Sequence, residues 1–335
     1  MKRETIEEVV RQMRAFVPTI DLPVDFEEEV KTALTFLRCD YPSTFHVGEI
    51  RYSYDLRGKK AILRPKYLYS ESDYNALISQ ILSVIGRHKK ALLALQTEEE
   101  KELYVHDLLC RKVKYADDGP ESHSIVGPLL RSRGVCDGIS KSAQELFHVA
   151  GVRSHVIAGE ARNGQIPSYE PHAWNIVRIG GKWRHIDVTF DNTLSDGTIR
   201  YDYVDLSTNA IKTDHRIRSE YRAFAAHCTD EEDWFVRQGL SFGSTQQAFD
   251  YIVKCLKNRK ERIYFRLVQP ANEASKAQLV DCFKINIGKL YSSYQSSFTH
   301  NAARNVFFWE VSFSDPARQT AGTVIGKLLG INVYE

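Results

Sequence analysis

Apolar residues recur near helical spacing at the start of the chain. Ile6, Val9, Val10, Met13 and the Phe16-Val17 pair predict helix to about Leu37. From Phe45 to Leu68 the pattern changes to alternation, interrupted at Asp55-Leu-Arg-Gly-Lys59, which predicts a hairpin. Ser70-Glu-Ser-Asp73 opens a helix to about Leu95, with Leu77, Ile78, Ile81, Leu82 and Ile85 on one side. Thr97-Glu-Glu-Glu100 is a capping box for a further helix ending near Lys112. Residues 120–134, with Gly127-Pro128 among them, read as loop. A helix over 136–150 follows, with Ile139, Ala143, Leu146 and Phe147 as its buried stripe and Gly151 as its C-cap. Strands are predicted over 152–161, 172–179 and 182–190. Beyond Tyr221 the order becomes strand 234–240, helix 244–256, strand 262–268, helix 274–290 and strand 305–313, the alternation of a compact α+β unit. The expected layout is an α/β extension over 1–95, a core over 96–220 and a C-terminal α+β domain over 221–335.

At 335 residues the chain is long enough for more than one buried core. The 45 basic residues are nearly cancelled by 43 acidic ones, which leaves no electrostatic footprint for nucleic acid or an anionic membrane. Arg57-Gly-Lys-Lys60 and Arg87-His-Lys-Lys90 read as a solvated turn and a helix end. Acidic residues threaded through the first sixteen positions exclude a secretory h-region there, and no stretch is apolar over the ~20 residues of a membrane span. The expectation is a cytoplasmic protein. Its six cysteines, at 39, 110, 136, 228, 255 and 282, form no CxxC pair and no zinc spacing, and no segment resembles an EF-hand. No metal or cofactor is expected, and five of the thiols read as small buried apolar side chains.

Cys136 is the exception. In Arg133-Gly-Val-Cys-Asp-Gly138 a loop ends and a helix begins at the thiol. The positive end of the helix favours thiolate, and its first N–H groups are donors for a developing oxyanion. Downstream, Gly180-Gly181 is a two-residue hairpin turn. It sets Ile179 opposite Lys182, Trp174 opposite Asp187 and His172 opposite Thr189. Asp187 is then diagonal to His172 on the same face, with Cα atoms roughly 7–8 Å apart, close enough to orient an imidazole base. A slip of one residue would put the two on opposite faces. His185 shares that face one pair nearer the turn, and reads as a residue covering the sheet beside Trp183.

The strings GVCDGISKSAQELF, HAWN and GGKWRHIDVTFDN closely resemble the transglutaminase-like superfamily, in particular its bacterial members. The resemblance continues upstream in Pro42-Ser-Thr-Phe45, Leu63-Arg-Pro-Lys-Tyr67, His106-Asp-Leu-Leu109 and Val113-Lys-Tyr115. Downstream it includes Tyr203-Val-Asp-Leu-Ser-Thr208 and Asp214-His215. It covers most of residues 40–240. It implies a papain/transglutaminase-like α+β core, in which a Cys-bearing helix packs on an antiparallel sheet carrying His and Asp. It also implies Cys136 as nucleophile, His172 as base and Asp187 as orienter, with Trp174 and Tyr115 at aromatic positions of the cleft. Ile139 and Phe190 depart from the usual aromatic and tryptophan.

The reading is acyl transfer through a thioester on Cys136, resolved by water on a protein or peptide substrate. The alternatives are glutamine–lysine crosslinking and a non-catalytic binding or scaffold module that keeps the fold.

Overall fold

The computed structural model describes residues 3–55, 57–162, 168–194 and 197–314. It divides into two compact units, Met1–Glu231 and Glu232–Glu335. Leu56, in the expected turn at 55–59, and the C-terminal stretch 315–335 lie outside the described residues.

The first unit begins with α1 (Arg3–Arg14), β1 (Ile20–Pro23) and α2 (Glu27–Asp40). The helix expected to run to Leu37 is therefore broken by a strand. Pro18 and Pro23 cannot donate to a helical ladder, and Ile20 and Leu22 alternate with exposed neighbours and bury completely. The hairpin of β2 (Val47–Asp55) and β3 (Lys60–Tyr67) accepts β1 on its free edge, giving the order β1-β3-β2. Ile6, Val9, Val10 and Met13 close over this sheet.

Next come α3 (Glu71–Ala94) and α4 (Glu98–Lys112). Ser70 caps the first, and the capping box predicted at Thr97 and Glu100 is formed in both directions. Such a cap is worth about 1 kcal/mol. A short parallel pair, β4 (Lys114–Tyr115) with β5 (Arg133–Gly134), leads directly into α5 (Cys136–Val149). Gly151 ends that helix at φ 76°, the left-handed conformation that favours glycine.

The central sheet follows: β6 (Ser154–Ala161), β7 (Glu170–Ile179), β8 (Lys182–Ile186), then α6 (Val188–Thr193), α7 (Thr208–Ile211), β9 (His215–Ile217) and α8 (Arg222–Ala225). Its order is β8-β7-β6-β9 with every pairing antiparallel. Helix α5 lies against this sheet: Asn175 Nδ2 on β7 donates to the Ser140 carbonyl at 3.0 Å, both groups buried. Leu146 and Phe147 are fully enclosed, and burial of each contributes roughly 1.5–3 kcal/mol. Tyr221, where a separate C-terminal domain was expected to begin, is 1% exposed and packs with Trp174 and Tyr203 in this unit.

The second unit contains α9 (Trp234–Arg237), β10 (Ser241–Phe242), α10 (Thr245–Lys257), β11 (Arg262–Leu267), α11 (Glu273–Leu290), β12 (Tyr294–Asn301) and β13 (Val306–Phe313). The sheet order is β10-β11-β13-β12. The strand expected over 234–240 is a helical turn instead, because the Asp233 side chain caps it by accepting from Val236 N at 3.1 Å. Strand β12 was not foreseen. It is a polar edge strand, with Gln295, Ser296, Ser297 and Thr299 exposed, so it lacks the apolar alternation that marks a strand.

Candidate active site

Cys136 is the first residue of α5, and the extended Val135 before it offers no capping side chain. The helix therefore presents its positive end and its first amide groups beside the thiol. The segment is pinned from three directions. Tyr115 pairs with Gly134, Val135 N donates to Ser122 O at 3.0 Å, and Ser140 Oγ donates back to Cys136 O at 2.8 Å. Gly138 is required by close approach: a Cβ there would lie 2.2 Å from the Ser122 carbonyl oxygen. Cys136 remains partly exposed.

The β7–β8 register is the predicted one, from Ile179↔Lys182 to Asn175↔Ile186, around Gly180 and Gly181 at φ 57° and 80°. The strand expected to continue to 190 stops at Ile186. Asp187 turns the chain out of the sheet: its N–H donates to Tyr203 O at 3.0 Å and its side chain becomes the N-cap of α6. Oδ1 accepts from Thr189 N at 3.0 Å and Phe190 N at 3.1 Å. That leaves Oδ2 directed at His172, whose Nε2 lies 2.7 Å away. The helix cap and the imidazole contact are two uses of one carboxylate.

Cys136 acts on the same ring and is among the groups that raise the His172 imidazole. With Nε2 committed to Asp187, Nδ1 is the nitrogen left for the sulfur. Burial alone would push the imidazole down. The Asp187 carboxylate and its hydrogen bond, with the neighbouring Cys136, outweigh it and raise the ring to about 10. Asp187 shows the mirror image: burial favours its neutral form, but His172 and His215 hold it below the ordinary carboxylate range.

His215 is the neighbour of this pair that pattern reading missed. Its Nε2 lies 3.0 Å from the same Asp187 Oδ2, and its Nδ1 lies 2.6 Å from Asp214 Oδ1. Tyr203 donates to the other Asp214 oxygen at 2.6 Å. Asp214-His215 was visible as part of the family resemblance. Nothing local announced that β9 would pair with β6 and bring this dipeptide behind the hairpin. His172, Asp187 and His215 are also the one group with metal-ligand character among the described residues, with donor atoms within 4.8 Å of one another. Those atoms already meet at Asp187 Oδ2.

Trp174 does not line the cleft. It is 1% exposed, lies 5.9 Å behind the His172 ring in a stacked orientation, and donates its Nε1–H to His185 Nδ1 at 3.0 Å. His185 passes the chain on through Nε2 to Thr208 Oγ1 at 3.0 Å, and Thr208 donates to Ala225 O. Burial drives the His185 imidazole down to about 3, so this ring is neutral and structural. Tyr115 is 46% exposed next to Cys136, and burial, with the charge of Cys136, raises its hydroxyl to about 12. The phenol is a protonated donor at neutral pH.

A cleft of about 580 Å³ opens on Cys136 and His172. Residues of α2, of the β2–β3 hairpin and of the segments flanking them complete it, among them Tyr41 just after α2, Phe45 before β2, Ile50 on β2 and Leu68 after β3.

Comparison with known proteins bears on this arrangement. Residues 89–188 match the model of the transglutaminase-like superfamily. No curated protein matches the chain in sequence. Among solved structures it is similar to a provisionally assigned cysteine protease from Cytophaga hutchinsonii, at 15% identity and TM-score 0.28 over 42% of this chain. It is similar to a TGase at 13% identity and TM-score 0.30 over 54%. It is also similar to menin, described with its binding site for the Mixed Lineage Leukemia protein, at 13% identity and TM-score 0.29 over 85%. The chain covers 61%, 53% and 57% of those chains, less than two thirds of each. No helix among the described residues is long and apolar enough to cross a membrane. The segment that carries Cys136, His172 and Asp187, residues 89–188, is a domain of the transglutaminase-like superfamily.

Proposed function

We propose that this protein is a cysteine-dependent acyl-transfer enzyme that hydrolyses a peptide or amide bond. The observation that carries the reading is the imidazole of His172. One edge is fixed by Asp187 at 2.7 Å, and the ring lies beside Cys136 at a helix N-terminus, on the lining of one cleft. In this reading the thiol proton already rests on the His172 ring, held there by Asp187, when sulfur attacks the carbonyl carbon. The first amides of α5 donate to the oxyanion, and His172 returns the proton to the leaving amine as the C–N bond breaks. Water then attacks the thioester, releasing the acid and restoring the thiol. Asp187 fixes the imidazole and compensates its positive charge throughout. Hydrolysis is favoured over crosslinking because water is always present, whereas transamidation needs a dedicated amine site.

Peptide-library profiling with the wild type beside Cys136→Ala, reading both cleavage and amine incorporation, tests the proposal. Cleavage that Cys136→Ala abolishes supports hydrolysis. Amine incorporation without cleavage moves the reading to crosslinking. Neither activity, with the thiol intact, returns the chain to the binding-module reading.

A further inference from the structure

The cleft beside Cys136 has a composition that its thiol chemistry alone does not require. One wall is apolar and comes from outside residues 89–188: Tyr41, Phe45, Ile50 and Leu68. Leu68 is 46% exposed, and this apolar surface is what a ligand would cover.

The charges are unbalanced as well. Among the described residues Asp137 is the one carboxylate that lines the cleft, and it is already engaged. Lys141 Nζ lies 3.3 Å from its Oδ2, and His123 Nδ1 lies 3.1 Å from its Oδ1. Arg38 and Arg218 line the same cleft, and neither guanidinium has a hydrogen-bond or ion-pair partner among the described residues. Both are carried on ordered backbone. Arg38 is in the last turn of α2, and Arg218 follows β9 with its N–H donated to Ala158 O at 3.3 Å. An exposed arginine without a partner is commonplace. Two of them on the lining of the cleft that holds Cys136, where the only carboxylate among the described residues is already held, leave a net positive field. The planar guanidinium fork matches a carboxylate in geometry as well as charge.

We propose that the acyl donor is an acidic peptide-like molecule, with an apolar side chain for the wall of Tyr41, Phe45, Ile50 and Leu68 and a carboxylate held by Arg38 and Arg218. This inference rests on the acyl-transfer reading of Cys136.

A matched pair of thiol reagents tests it without a known substrate: N-chloroacetyl-phenylalanine and N-chloroacetyl-phenylalaninamide. They share the benzyl group and the reactive carbon, where sulfur displaces chloride, and they differ in one carboxylate. Alkylation of Cys136 is followed by peptide mapping. The acid is expected to react faster than the amide by about tenfold or more, the worth of one charge-assisted hydrogen bond. In the double variant Arg38→Gln/Arg218→Gln the two rates converge, and added salt narrows the gap in the wild type. Equal rates in the wild type, or a preference that survives in the double variant, overturn the proposal. Failure of the underlying reading has a different signature: neither reagent, nor iodoacetamide, would then favour Cys136 over the other cysteines.

Discussion

Asp187 has both carboxylate oxygens occupied: Oδ1 by two backbone amides, Oδ2 by His172 and His215. An amide at this position can still accept but carries no charge to offset an imidazolium. Asp187→Asn should therefore keep the fold and lower turnover by two orders of magnitude or more, on the order of the loss known for a triad aspartate. His215→Gln retains a donor towards Oδ2 and should cost less, about tenfold, and Tyr203→Phe less again. Steady-state rates with any substrate from the profiling screen give the ranking, and an unaffected Asp187→Asn would remove the orienting role. His172 and His185 also predict how stability depends on pH, with opposite signs. The folded His172 ring is raised to about 10, so its contribution is complete below the unfolded imidazole value of about 6.5 and is lost as pH rises through 10. His185 is lowered to about 3, so the unfolded state binds a proton that the folded state refuses, and stability falls as pH drops below about 6.5. One such proton gives a slope of about 1.4 kcal/mol per pH unit. Melting curves should show the wild type losing stability from pH 6.5 to 4. His185→Gln should be less stable overall, having lost its bonds to Trp174 and Thr208, yet flatter across that range. An equally steep decline in the variant would place the acid sensitivity elsewhere.

At the scale of elements, the N-terminus of α5 depends on a close contact rather than on a cap. Gly138→Ala would drive a methyl group to 2.2 Å from the Ser122 carbonyl oxygen, which is backbone and cannot swing aside. The expected cost is about 1–3 kcal/mol, typical of overpacking, and the α5 start should shift away from the 120–123 turn. Urea denaturation measures the cost, and an unchanged midpoint would show that the turn yields freely. Elements whose ends carry local chemistry were legible in the sequence. Ser70, the Thr97–Glu100 box, Gly151 and Gly180-Gly181 each fixed a boundary that the structure keeps. The hairpin register carried His172 and Asp187 to one face without tertiary information. Elements that depend on distant partners were not legible. Strand β1 exists because the β3 edge accepts it, polar β12 because β13 does, and β9 because β6 does. Asp187 itself was read as a strand residue, since nothing in Ile-Asp-Val-Thr-Phe shows that its side chain will cap a helix.

For the whole molecule, Cys136, His172 and Asp187 all lie in the unit Met1–Glu231. They come from a helix start, a strand and a strand end separated by up to 51 positions in the sequence, which only the packing of α5 on the sheet brings together. The wall of the cleft comes from still further away, in α2 and the first hairpin, so the N-terminal segment completes the site rather than extending beside it. The central claim is that this assembly makes one thiol of six chemically distinct. Burial raises the other five, Cys39, Cys110, Cys228, Cys255 and Cys282, away from the reactive thiolate form. Cys39, Cys110 and Cys282 are partly exposed too, and His106 Nε2 lies 3.7 Å from the Cys110 sulfur, but Cys136 is the one thiol that opens a helix, with His172 beside it. The most direct measurement is limiting iodoacetamide near pH 6 on the folded protein, followed by peptide mapping of all six cysteines, for the wild type and His172→Ala. The account predicts that Cys136 is labelled well ahead of the rest in the wild type, and that His172→Ala erases the preference while the circular dichroism spectrum stays native. Labelling of Cys136 no faster than the partly exposed Cys39, Cys110 and Cys282, or a preference unchanged by the loss of His172, would contradict it.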